Sequence, residues 1–83
     1  MSVKTVRFSK LADRVLQRMQ PKRRTAIVEK IKAYARGERV DIKKMKGSRY
    51  FRIRVGPDRV IIDEQGNVIF VVDAGPRGGI YKE

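Results

Sequence analysis

The run Tyr50-Phe51-Arg52-Ile53-Arg54-Val55-Gly56-Pro57-Asp58-Arg59-Val60-Ile61-Ile62 constrains this chain more than any other stretch. From Tyr50 onward it alternates, with Phe51, Ile53 and Val55 to one side and Arg52 and Arg54 to the other. A period of two belongs to a strand with one face on a core and the other in water. Gly56-Pro57-Asp58 is turn chemistry, because Pro presets φ while Gly and Asp tolerate a reversal. A returning strand, Arg59 to Asp63, then sets Val60 and Ile62 inward and Arg59 outward. The hairpin gathers Arg52, Arg54 and Arg59 on one solvent-facing surface. Guanidinium groups keep their protons at ordinary pH, so such a surface suits phosphate.

The flanking segments supply what this hairpin packs against. Val3 to Phe8 alternates and reads as a short edge strand, with Ser9 placed to cap the helix after it. In that helix Leu11, Val15, Leu16 and Met19 form an apolar stripe. Gln20-Pro21 breaks it, and Pro21 suits the first turn of a second helix. There Ile27, Val28, Ile31, Tyr34 and Ala35 face inward, Lys22, Arg23, Arg24, Lys30, Lys32 and Arg36 stay out, and Gly37 ends the helix. Residues 38–49 read as a polar connection. Its Lys43, Lys44, Lys46 and Arg49 are either a solvated loop or a phosphate clamp beside the hairpin, and their entry into the hairpin strand favours the clamp.

Glu64-Gln65-Gly66-Asn67 is a turn, and the continuous apolar run Val68–Val72 reads as a central strand covered on both faces. Asp73 to Glu83 reads as a glycine-rich loop and tail carrying Arg77 and Tyr81. The expected architecture is α+β in a single domain, 1–83. An N-terminal strand and a helical hairpin pack on one face of a mainly antiparallel sheet of about four strands.

Composition narrows the chemistry. The chain has 83 residues, enough for one modest core. Its 21 Lys+Arg against 9 Asp+Glu give a net charge of +12. That self-repulsion points to an anionic partner, with nucleic acid ahead of an acidic protein and an anionic membrane last. There is no Cys and no His. Histidine- or cysteine-based nucleophile systems are thereby excluded, no disulfide is available, and neither a metal nor a nucleotide cofactor is expected. The Met-Ser-Val-Lys start lacks an apolar leader and no run reaches membrane-spanning length, so a cytoplasmic location is the expectation. Arginine, lysine and tyrosine remain. They suit metal-free phosphoryl transfer on RNA, where the 2′-hydroxyl is the nucleophile and the protein stabilises charge.

The order strand, helical hairpin, Lys46-Gly47-Ser48, the arginine hairpin, Val71-Val72-Asp73-Ala74-Gly75-Pro76-Arg77 and Ile80-Tyr81 resembles the RelE/ParE toxin superfamily, in particular its RelE-like branch. The likeness covers essentially the whole chain. It implies a microbial-RNase-like fold and the toxin of a toxin–antitoxin pair. It also implies a ribosome-dependent endoribonuclease that cuts mRNA in the A site. The implied partners are a cognate antitoxin in a hetero-oligomer, the ribosome and mRNA. By the same resemblance Arg52 and Arg54 match the family's paired basic residues, and Arg59 the arginine of the next strand. Arg77 matches the arginine of the strand-end loop, and Tyr81 the C-terminal tyrosine. These would bind the scissile phosphate, stabilise its charge and orient the substrate. Arg52 and Arg54 stand where many relatives have lysine, and Pro76 where many have His or Lys. Both departures keep charge stabilisation and remove proton carriers. The alternatives are a non-catalytic ParE-like inhibitor of DNA gyrase and a basic RNA-binding domain without activity.

Overall fold

In the computed structural model, residues 3–76 are described. The elements run β1 (Thr5–Phe8), α1 (Lys10–Arg18), α2 (Pro21–Ala35), β2 (Ile42–Lys44), β3 (Phe51–Val55), β4 (Asp58–Gln65) and β5 (Val68–Pro76). The strands form one five-stranded sheet in the order β1-β5-β4-β3-β2. β1 runs parallel to β5, and every other neighbouring pair is antiparallel. Both helices cover one face. Leu16, Ile27 and Ile31 meet Ile53, Val60, Ile62, Ile69 and Val71 in a single cluster. The α+β architecture and the edge position of β1 match the sequence reading.

Several details differ from it. The sheet has five strands rather than about four, because β2 forms inside the expected polar connection. Ile42 registers with Ile53 and packs on the core, but one apolar residue in a three-residue strand carries no periodic signal. β5 continues to Pro76 where a loop was expected, since Asp73 to Pro76 pair with Asp58 to Ile61 and Ala74 faces inward opposite Val60. In α1 the inward stripe is Ala12, Val15, Leu16 and Met19, spaced i, i+3, i+4, i+7, while Leu11 is exposed. Leu11 carries the larger apolar side chain, but the phase set by the cap puts the smaller Ala12 against the sheet.

That phase has a local cause. Ser9 Oγ accepts the Ala12 amide at 3.0 Å and donates to the Val72 carbonyl at 2.6 Å, and the Ser9 amide meets the Val71 carbonyl at 2.9 Å. At the far end of α2 the Gly37 amide bonds the Tyr34 carbonyl and the Glu38 amide the Ala33 carbonyl. This Schellman closure needs the positive φ of 86° that Gly37 adopts. Tyr34 donates to Glu64 Oε1 at 2.6 Å and Lys4 pairs with the same carboxylate, tying α2, β4 and the start of β1 together.

The β3–β4 connection is a two-residue loop, Gly56-Pro57, closed by the pair Val55 and Asp58. Gly56 takes φ of 58°, which Gly adopts without steric cost. Asp58 is therefore a strand residue rather than part of the turn. It points to the helix side and is buried, and Arg23 of α2 grips it through Nε at 3.0 Å and through Nη2. Arg23, expected among the outward cations, turns inward for this bond, which also raises its pKa.

Candidate functional site

The face opposite the helices holds the predicted arginines. Directly opposed residues in an antiparallel ladder share a face, and here Arg54 lies opposite Arg59 and Arg52 opposite Ile61. Arg52, Arg54 and Arg59 therefore share the open face, as expected. They are not equally solvent-facing. Arg54 is exposed, whereas Arg52 and Arg59 are only 9% and 8% accessible. The fully buried Ile61 explains part of this. It faces away from the helices, between Arg52 across the ladder and Arg59 two residues earlier, where their aliphatic stems can cover it. Gly75 lies opposite Arg59 on β5 and places no side chain beside it.

Two arginines directly opposed on neighbouring strands repel, and such a pair costs stability in a sheet. A carboxylate of the chain or a bound anion close to them offsets that cost. Arg54 and Arg59, with Gly56, Pro57 and Asp58, border a hollow of about 300 Å³ at the hairpin end. Partial burial of Arg59 strengthens its pull on charge, because fewer waters screen it.

The lysines divide. Lys43 lies opposite Arg52 on the open face and extends the basic surface to the β2 edge. Lys44 lies opposite Phe51, so its side chain belongs to the other face, and Lys46 sits in the turn beyond β2. Arg49 stands toward the far end of the hairpin. There its Nε reaches Asp63 Oδ2 at 3.2 Å and its guanidinium lies 5.8 Å from the Tyr50 ring centroid. Arg77 and Tyr81 lie outside the described residues. Among the described residues no three carboxylates come together as a cation site would require.

Sequence reading missed the aspartates of this face. Asp63 and Asp73 are both largely buried on it, Asp73 opposite Ile61 and Asp63 opposite Phe70. Asp73 Oδ1 accepts the Ala74 amide at 2.8 Å. The register slips between Ile61 and Ile62, which leaves Val72 without a partner on β4. This bulge brings Asp73 to the arginine side, and a one-residue slip has no signature in hydropathy.

No family model and no curated protein matches the chain. Solved toxin–antitoxin complexes do contain similar chains. The RelB-RelE antitoxin-toxin complex from Methanococcus jannaschii aligns with a TM-score of 0.71 at 29% identity, over 84% of this chain and 88% of that one. The archaeal RelE-RelB complex from Pyrococcus horikoshii gives 0.70 at 25% identity, over 94% and 99%. The RelBE2 complex from Mycobacterium tuberculosis gives 0.77 at 22% identity, over 90% and 99%, a likeness of fold.

Proposed function

From the premise that this chain has the fold of the RelE-like toxin superfamily, we propose that it is the toxin of a toxin–antitoxin pair and an endoribonuclease acting on mRNA in the ribosomal A site. The observation that carries the enzymatic part is the opposed pair Arg54 and Arg59, with Arg52 on the same face. Arg54 is the exposed member of that pair, and a scissile phosphate is an anion that its guanidinium fork can take.

In the proposed reaction the substrate's own 2′-hydroxyl oxygen attacks the adjacent phosphorus and the bond to the 5′-oxygen breaks. The products are a 2′,3′-cyclic phosphate and a 5′-hydroxyl. Arg52, Arg54 and Arg59, joined by Arg77, hold the phosphate in line and stabilise the charge that develops on it. Arginine does not serve as a base near neutrality, so proton transfer is left to Tyr81 as a secondary contribution and to groups of the ribosome or solvent. Lys43, beside Arg52, with Lys46 and Arg49 would hold flanking phosphates, while Lys44, on the other face, would not. The partner that silences the toxin is a cognate antitoxin, as in the complexes of the similar chains.

Primer extension on mRNA after brief induction tests this reading. Cuts inside translated codons, lost in Arg54→Ala and insensitive to EDTA with ribosomes kept intact, are the expected result. Growth arrest without such cuts, accompanied by DNA damage, would replace it with gyrase inhibition.

A further inference from the structure

A second feature of the open face is not used by the cleavage chemistry. Arg7 of β1 registers with Phe70 of β5, and Phe70 with Asp63 of β4, so the three form one row across the sheet. With Arg49, Tyr50 and Gln65 this row lines a shallow cleft of about 510 Å³. Phe70 is 41% exposed although its strand is interior to the sheet. Asp63 is 7% accessible, and its carboxylate is oriented by Arg49 Nε at 3.2 Å and Gln65 Nε2 at 3.0 Å, both on Oδ2. Both contacts fall on Oδ2, and Oδ1 has acceptor capacity of its own.

We infer that this cleft holds one nucleobase of single-stranded RNA, stacked on Phe70 and donating from an exocyclic amino group to Asp63 Oδ1. The inference rests on the RNA reading above and adds a base-recognition subsite to it. Sheet faces that present an exposed aromatic beside cations are suited to unstacked bases, because the ring stacks while the cations hold the backbone. Arg7 and Arg49 supply the cations here. Asp63 follows Arg59 by four residues on the same strand and face, about 13 Å at the rise of a strand, so one short oligonucleotide can span both.

The carboxylate selects among occupants. It repels an acidic peptide, which the arginines alone would attract. Adenine, cytosine and guanine each carry an amino group that a carboxylate accepts. Uracil offers only an imino N–H between two carbonyl oxygens, which the carboxylate repels.

The full-length protein, titrated by fluorescence anisotropy with labelled A6, C6 and U6 RNA at low salt, tests this. A6 and C6 are expected to bind roughly tenfold more tightly than U6. Phe70→Ala should weaken A6 and C6 by roughly tenfold, the loss typical of one stacked base. Asp63→Asn should bring the three oligomers within about twofold of one another, whereas Arg54→Ala should weaken all three alike and keep the preference. Equal affinities for A6, C6 and U6 in the unmodified protein would overturn the proposal. So would an unaffected Phe70→Ala variant, or a hexaglutamate peptide that binds as tightly and depends on Phe70. Because Phe70 is exposed and the ratio in the unmodified protein needs no variant, misfolding of Asp63→Asn leaves the test intact. Base preference without codon cuts removes the nuclease reading alone, and cuts without base preference remove the cleft alone.

Discussion

Arg54 and Arg59 face each other across the same ladder but differ in exposure, and that difference separates chemistry from folding. Exposed substitutions usually change stability by within about 0.5 kcal/mol, so Arg54→Ala should melt close to the parent and yet lose cleavage and toxicity. Arg59 is nearly buried, so Arg59→Ala should lose activity and also melt earlier. Thermal unfolding beside a growth assay checks both. A melting loss for Arg54→Ala as large as that for Ile53→Ala, a core truncation expected to cost about 2–5 kcal/mol, would contradict the face assignment. Tyr81→Phe should cost less activity than Arg54→Ala if charge stabilisation dominates over proton transfer.

Between elements, Ser9 joins α1 to the irregular part of β5. Its hydroxyl caps the helix through Ala12 and donates to the carbonyl of Val72, the residue that the register slip leaves unpaired on β4. Ser9→Ala removes both bonds. Loss of a helix cap alone typically costs about 1 kcal/mol, and the freed Val72 carbonyl adds to that. Urea unfolding should show a lower midpoint with an unchanged slope. The bulge brings Asp73 to the arginine face, so the same variant should also reduce cleavage more than an exposed α1 control such as Gln17→Ala. Equal activity in the two would mean that the bulge holds its shape without the cap.

At the scale of the whole molecule, the charge of +12 and the position of Tyr34 each predict a response to solvent. If the open face binds RNA, log affinity should fall linearly with log salt, by roughly 0.7 per contacted phosphate on a single strand. Arg54→Ala should make the slope shallower by about that amount, and a slope near zero would rule out phosphate binding. Burial raises the Tyr34 pKa above its ordinary 10.0, so the folded state holds that proton more tightly than the unfolded chain. The resulting stability is complete below the unfolded value near pH 10 and disappears as pH rises through the folded value. Alkaline unfolding should therefore steepen above about pH 10, and Tyr34→Phe should flatten that limb. An unchanged limb would mean that another group governs it.

The alternation of Phe51 to Val55, the turn at Gly56-Pro57 and the helical spacing in α2 were legible in the amino-acid order. Each is a local pattern in which one side chain in two, or one in three to four, must reach a core. The same alternation placed Arg52, Arg54 and Arg59 on one face, because strand geometry alone decides sidedness. Their unequal exposure was not legible, nor was the joining of Asp73, Phe70 and Arg7 to that face. Those depend on which strands become neighbours and in what register. Register is decided by packing and bulges over the whole sheet, as where Val72 drops out of the β4–β5 ladder. Likewise nothing near Arg23 or Asp58 in the chain announces their ion pair, since it forms only once α2 lies across the hairpin end. Local periodicity therefore determined the helices, the hairpin and the arginine face, while long-range pairing decided β2, the extension of β5 and which residues that face brings together.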